Sequence, residues 1–226
     1  MIWWLGLICG LVGYLLGSVS VSVILSGAIF RGDVRKHGSG NAGATNMARV
    51  YGLKGGLFVL LGDIFKAFLS MGLAYLFCYL WDKTPDRYAN YMCVAGATCL
   101  IGHAFPIFFS FRGGKCVTVG AAVALMVDWR IFLLVIAVFI LVFIFTHIVS
   151  VSSMSAAFAL PVLYGIFTAC GIADFYISKL VVSIFAAAFI IVLHYKNIGR
   201  LIKGEEKKFT FKKKEKQSSE TNGDSK

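Results

Sequence analysis

Acidic side chains are scarce in this chain: 11 Asp and Glu among 226 residues, against 22 Lys and Arg, with charged residues of both signs making up only 15%. A soluble domain carries about 25% charged residues, so there is too little charge to clothe an ordinary water-facing surface. Proline is rare as well, at three residues, which leaves long segments free to run as helices. Six cysteines are present, but Cys9, Cys78, Cys93, Cys99, Cys116 and Cys170 stand singly in apolar surroundings. Without a CxxC pair they support neither a zinc site nor a thiol redox motif, and they read as small buried hydrophobes. The first residues have no basic segment and no small-residue cleavage site. MetIleTrpTrp therefore reads as the start of a membrane crossing, not a signal peptide.

What is present is oil: 58% of the residues are hydrophobic. At about 20 apolar residues per crossing, the length fits an all-α integral membrane protein of about seven transmembrane helices joined by short loops. The apolar runs lie at about 3–30, 55–81, 89–111, 116–127, 131–149, 153–173 and 175–195. They are too long for membrane strands and lack strict alternation, so they read as helices. The fourth is short for a full crossing. This places a seven-helix membrane domain over residues 1–203 and a basic, disordered tail over 204–226.

Positive charge is distributed unevenly over the loops. Arg31, Arg35, Lys36, Arg49, Lys54, Arg112, Lys115 and the Lys-rich C-terminal segment fall on one side, against Lys83, Arg87, Arg130 and Lys179 on the other. The positive-inside rule then puts the N-terminus outside and the C-terminus in the cytoplasm. The basic tail beside a hydrophobic helix reads as a flank for anionic lipid headgroups, with no nucleic acid as partner.

The most informative stretch is the loop at 32–49. Gly38, Gly40 and Gly43 can free the backbone for positive φ so that successive N–H groups face one anion. Ser39, Asn41, Thr45 and Asn46 add side-chain donors, and Arg49 adds a charge suited to phosphate. Only one acid, Asp33, lies nearby. A second cluster runs from Gly102-His103-Ala104-Phe105-Pro106 to Gly113-Gly114-Lys115. It lacks the GxxxxGK[ST] spacing of a P-loop, so it reads as a glycine turn presenting Lys115 as a point charge. Asp63 and Lys66, three residues apart inside an apolar run, demand a partner or a polar cavity. His194 and Asn197 share one helix face where the last run ends. His37, His103, His147 and His194 show no metal-ligand spacing, so neither metal nor cofactor is expected.

In order along the chain, GlyAspValArg…GlySerGlyAsnAlaGlyAlaThrAsn…Arg, AspIlePheLys, GlyHisAlaPhePro…PheArgGlyGlyLys and HisTyrLysAsnIleGlyArgLeuIleLysGlyGluGlu resemble the motifs of the bacterial acyl-phosphate:glycerol-3-phosphate acyltransferases of the PlsY type, over about residues 17–206. The resemblance implies a multi-pass enzyme of the bacterial inner (cytoplasmic) membrane, with its active site on the cytoplasmic side. It would transfer a fatty acyl group from acyl phosphate to the 1-hydroxyl of glycerol 3-phosphate in phospholipid biosynthesis, releasing lysophosphatidate and phosphate. Ser39, Gly40, Asn41, Thr45 and Asn46, with Gly43, would then hold the acyl phosphate and its developing oxyanion. Arg49 and Ser150, with the turn Gly113, Gly114 and Lys115, would hold glycerol 3-phosphate, while His194 and Asn197 orient its hydroxyls. Asp63, Lys66 and His103 would support the loops. The proton of the attacking hydroxyl has two candidate acceptors, His194 and the leaving phosphate.

The chain departs from the family pattern at Ser20, Ala67, Cys116, His147 and Ile148. The acyltransferase signature with four residues between a histidine and an aspartate is absent, since Ala42, Phe108, Ser152 and Gly199 occupy the fifth position after each histidine. The alternative reading is a transporter of an organic phosphate or lipid. Against it, no repeat or matching pair of broken helices is visible.

Overall fold

The computed structural model describes residues 2–209, so most of the tail lies outside the described residues. Within that range the chain is helical with no strand: α1 (Trp3–Gly17), α2 (Val21–Phe30), α3 (Ala44–Tyr51), α4 (Leu53–Phe77), α5 (Tyr88–Ala104), α6 (Val117–Val127), α7 (Trp129–Thr146), α8 (Val149–Ala169), α9 (Ile177–Leu193) and α10 (Tyr195–Ile202). Five segments are long and apolar enough to cross a bilayer: Trp3–Phe30, Leu53–Asp82, Pro85–Phe109, Trp129–Thr146 and Val149–Ala169. The pair α9 and α10, bent by 56°, makes a sixth. At 1.5 Å per residue the 11 residues of α6 reach about 16 Å, roughly half a hydrocarbon core.

The surface confirms the solvent. Phe65 and Phe145 are 67% and 78% exposed, whereas Asp63, Lys66 and His103 are buried. Ionisable groups inside and large apolar ones outside make this an integral membrane protein.

The helices depart from the sequence reading at two places: one expected crossing is broken and one expected loop contains a helix. The run 3–30 parts at Ser18–Ser20 into α1 and α2. The carbonyls of Gly17 and Val19, left without helical partners, accept hydrogen bonds from Lys66 Nζ at 3.0 and 2.8 Å. The buried lysine thus satisfies the break, as backbone at membrane depth requires. Small residues bring α1 against α5: a Cβ at Gly13 would meet Ala95 Cα at 3.0 Å, and one at Gly102 would meet Ser18 N at 2.8 Å. The presumed loop 31–54 contains α3, eight residues free of glycine and proline that end at Gly52 with φ +88°. Met47 on α3 is sealed against Val34 and Val59 of α4. The main core lies elsewhere, where Leu100, Val123, Ile131, Leu160, Tyr164, Val182 and Ile190 join α5 through α9.

After α10 the chain turns back. Phe209 N donates to His147 O at 2.8 Å, and Glu206 is held by three side chains. The first residues of the expected tail are therefore fixed on the helix ends.

Candidate active site

A cavity of about 510 Å³ opens among α3, α6, α8, α10 and the returning segment. It gathers Ser39, Asn41, Gly43, Thr45, Asn46, Arg49, His103, Lys115, Ser150, His194 and Asn197, residues spread over more than 150 positions of sequence. Gly40, Gly113, Gly114, Asp63 and Lys66 lie outside its wall.

The glycine loop works differently from its sequence appearance. Gly38 and Gly40 do take positive φ, +64° and +73°, but Gly43 is extended at −128° and caps α3. The N–H groups of Ser39 and Gly40 do not converge on an anion: they donate to Asn46 Oδ1 (2.8 Å) and His37 O (3.0 Å). Asn46 donates in turn to the carbonyls of Val34, His37 and Asn41 at 3.0–3.1 Å. With both ends of its amide committed, Asn46 is the staple of the loop and has no donor left for a ligand. A side chain at Gly38 would strike that amide. What the loop offers the cavity is the start of α3. No side chain caps it, and the N–H groups of its first turn have no helical carbonyl to meet. Such an N-terminus is an anion site, and Thr45 and Arg49 stand beside it. Arg35 joins this loop to the next, pairing with Asp33 at 2.8 Å and donating to Phe109 O at 2.7 Å.

In the second wall Gly113 and Gly114 are structural. Their N–H groups donate to Ala104 O and His103 O at 3.1 and 3.0 Å, sealing the turn against the end of α5. A Cβ at Gly114 would collide with His103 Nε2. The turn presents Lys115, which donates to Asn197 Oδ1. Burial, reinforced by the nearby Arg200 charge, pushes the Lys115 ammonium down to about 8, with Glu206 opposing. Cys116 follows in the left-handed region (φ +62°), its thiol donating to Leu100 O at 3.1 Å. The glycine that the family resemblance has at this position would adopt such a conformation without strain.

The third wall is the corner between α9 and α10. His194 Nδ1 lies 2.8 Å from Ile190 O. A carbonyl only accepts, so Nδ1 carries the proton and Nε2 remains an acceptor. Sequence reasoning missed Glu206 and Arg200. Glu206 accepts from Ser150 Oγ (2.7 Å), Asn197 Nδ2 (2.5 Å) and Arg200 Nε (2.6 Å). Burial alone would raise its carboxyl, but those hydrogen bonds outweigh burial and hold it low. The carboxylate on one side and the Lys115 ammonium on the other fix which way the Asn197 amide faces. The GlyGluGlu at the end of the last motif was the available signal. His147, which stands where the family resemblance has arginine, is exposed at the end of α7 and is not part of the cavity wall.

Beneath the second wall, Asp63 pairs with Lys66 at 3.0 Å, and Lys66 Nζ lies 3.0 Å from His103 Nδ1. No group of three or more His, Cys, Asp or Glu among the described residues is arranged to hold a metal. A narrower apolar slot of about 50 Å³ lies against the cavity, sharing Val117, Phe139 and Ser153 with it and running between α6, α7, α8 and α9.

A cavity of cationic and neutral donors joined to an apolar slot inside a helical bundle defines a membrane protein for amphiphilic anions. The model of the glycerol-3-phosphate acyltransferase family matches residues 7–204. Glycerol-3-phosphate acyltransferases of Fusobacterium nucleatum and Staphylococcus carnosus are 39% and 37% identical to it, over 88% and 89% of this chain and 95% and 96% of theirs. A crystal structure of PlsY, an integral membrane glycerol 3-phosphate acyltransferase, in its glycerol 3-phosphate form, superposes with a TM-score of 0.77 at 29% identity, covering 91% of this chain and 96% of that one. Its lysophosphatidic acid form gives 0.75 at 28% identity, over 91% and 95%. The chain belongs to the glycerol-3-phosphate acyltransferase family, and it is an acyltransferase of phospholipid synthesis.

Proposed function

We propose that this enzyme takes its acyl group from a fatty acyl phosphate and transfers it to the 1-hydroxyl of glycerol 3-phosphate at the cytoplasmic face of a bacterial inner membrane. The observation that carries this reading is the cavity itself, where donors without partners among the described residues adjoin an apolar slot. One substrate would have a greasy chain and an anionic head, the other a soluble dianion. The distribution of Lys and Arg over the loops supports an outer N-terminus, a cytoplasmic C-terminus and seven passes, with α6 the short one.

The acyl phosphate head lies at the start of α3 with Ser39, Asn41 and Thr45 around it, and its chain enters the slot beside Val117 and Phe139. Arg49 and Lys115 hold the phosphate of glycerol 3-phosphate, and Asn197 and His194 orient the substrate hydroxyls. Ser150, whose single hydroxyl proton is donated to Glu206, anchors that carboxylate and not the phosphate. The hydroxyl oxygen attacks the acyl carbonyl, the carbon–oxygen bond to phosphate breaks, and phosphate leaves with the electron pair. The mixed anhydride is already activated, so placement and stabilisation of the developing oxyanion supply the catalysis. His194, with its proton on Nδ1 bonded to Ile190 O, accepts a hydrogen bond through Nε2 and so orients the attacking hydroxyl. The departing phosphate takes the proton.

Purified protein in detergent, given acyl phosphate and glycerol 3-phosphate, should release inorganic phosphate and form lysophosphatidate only when both are present. Phosphate release independent of glycerol 3-phosphate, or no lysophosphatidate, refutes the reaction. His194→Gln should keep kcat within about tenfold, since loss of a general base is worth about 10²–10⁴-fold. A collapse of kcat with KM unchanged would make His194 the base.

A further inference from the structure

His103 belongs to the wall of the cavity, yet the reaction described above leaves it without a task. Its ring bridges two environments. Nδ1 faces inward, 3.0 Å from Lys66 Nζ and 3.5 Å from Asp63 Oδ1. Nε2 has no partner among the described residues and is not among their sealed, unpartnered polar atoms. It stands where a side chain at position 114 would cover it, so glycine there keeps it open.

The inner contacts decide where the ring carries its proton. The Lys66 ammonium has three protons and four acceptors around it: Gly17 O, Val19 O, Asp63 Oδ1 and His103 Nδ1, all within 3.0 Å. A hydrogen on Nδ1 would point into that ammonium, and the only acceptor then available, Asp63, lies beyond ordinary hydrogen-bond length. A bare Nδ1 accepts from Lys66 instead, and the ring proton moves to Nε2. We propose that His103 is a substrate-facing donor whose Nε2–H binds an anionic phosphoryl oxygen in the cavity, with Lys66 as the positioning residue that fixes its tautomer. His194, whose proton is held on Nδ1 by Ile190, faces the same cavity as an acceptor. The two histidines thus offer opposite polarity: one recognises an oxyanion, the other a hydroxyl. The identity of the anion rests on the proposed reaction; the donor assignment does not.

Nitrogen-15 spectra of histidine-labelled protein in detergent, with four ring systems to resolve, test the assignment directly. The resonance lost in His103→Gln should be that of an Nε2-protonated ring, and inorganic phosphate should shift it. An Nδ1-protonated ring, or a resonance unmoved by saturating phosphate, overturns the proposal. In turnover, His103→Ala should lower kcat/KM about 10- to 100-fold, the worth of a hydrogen bond to a charged group. His103→Gln, which carries an N–H near the Nε2 position, should recover most of that loss. A rise in KM for acyl phosphate alone would assign the bound oxygen to the acyl donor, and a rise for glycerol 3-phosphate alone would assign it to the acceptor. Equal losses in the two variants overturn the donor role. A wild-type protein that released no phosphate from acyl phosphate would refute the proposed reaction while leaving the spectroscopic arm to be read on its own.

Discussion

At the end of the bundle formed by residues 78–88, 127–130 and 170–176, several polar groups are paired with one another, although the buried Ser178 Oγ beside them has no partner among the described residues. Asp82 accepts from Tyr91, Thr84 and Arg87. Asp128 holds Arg130 at 2.6 Å, Lys179 donates to Val127 O, and Tyr164 bonds Asp174 O, Tyr176 O and Tyr176 N. At the opposite end the same residue types are left over. Arg49, Thr45 and the Ser39 hydroxyl make no hydrogen bond or ion pair recorded among the described residues, and Lys115 meets only the Asn197 carbonyl oxygen. Ser39 and Arg49 are exposed and Thr45 is half-buried, so these donors are open to water or a ligand, whereas the polar groups named at the other end are spent on joining helices and turns.

The largest test of this difference removes charge from each end. Arg49→Ala and Lys115→Ala should each lower kcat/KM by about 10²–10³-fold, the range for loss of one preorganised donor. Lys179→Ala, whose ammonium bonds a carbonyl and lies 5.3 Å from the Tyr176 ring at the paired end, should leave both kinetic constants unchanged. Retention of turnover in the first two, measured by phosphate release, would remove the contrast.

Much of this architecture was legible in the sequence. Helices, their approximate limits and the gathering of the loops at one end follow from the spacing of apolar runs and the placement of Lys and Arg, because a bilayer imposes both. The break at Ser18–Ser20 was hidden: it depends on Lys66, 46 positions beyond Ser20, reaching back to two carbonyls. The site residues could be named by type but not by use. Asn46, Gly113 and Gly114 have the composition of ligand donors, yet their hydrogen bonds are taken up within the chain. Glu206 escaped notice because an acid in a basic tail reads as solvated, and only the return of the chain over Ser150 and Asn197 gives it a place. Local chemistry survives in a sequence; which of two possible partners a donor meets is decided by tertiary contact.

A smaller effect reads Lys115 through pH. Its ammonium must be charged to hold an anion, and burial has lowered its pKa to about 8. The active form is therefore complete well below pH 8 and is lost as pH rises through that value. The expected profile of kcat/KM for glycerol 3-phosphate has a basic limb near pH 8, falling about tenfold per unit beyond it. Lys115→Arg, charged up to about pH 12, should remove that limb even if its absolute activity is lower. A limb unchanged in that variant would assign the titration to another group.

The smallest kinetic effect belongs to the paired end, and it is the one that isolates structure from function. Asp82 joins the turn after α4 to α5 and, through Tyr91, to the first residues of the chain: Tyr91 Oη donates to the carboxylate at 2.5 Å and accepts from Ile2 N at 2.7 Å. Asp82→Asn removes the charge that pairs with Arg87 and puts a donor where one acceptor stood, so the hydrogen bond to Tyr91 Oη or to the Thr84 hydroxyl must reverse its direction. The melting temperature in detergent should fall by a few degrees, while kcat and both KM values stay within about twofold. Nothing in the chemistry of the cavity depends on that carboxylate, since it bonds no cavity residue. A matched fall in kcat without a fall in melting temperature would mean that the ends communicate through α5, which carries Tyr91 near one terminus and His103 near the other.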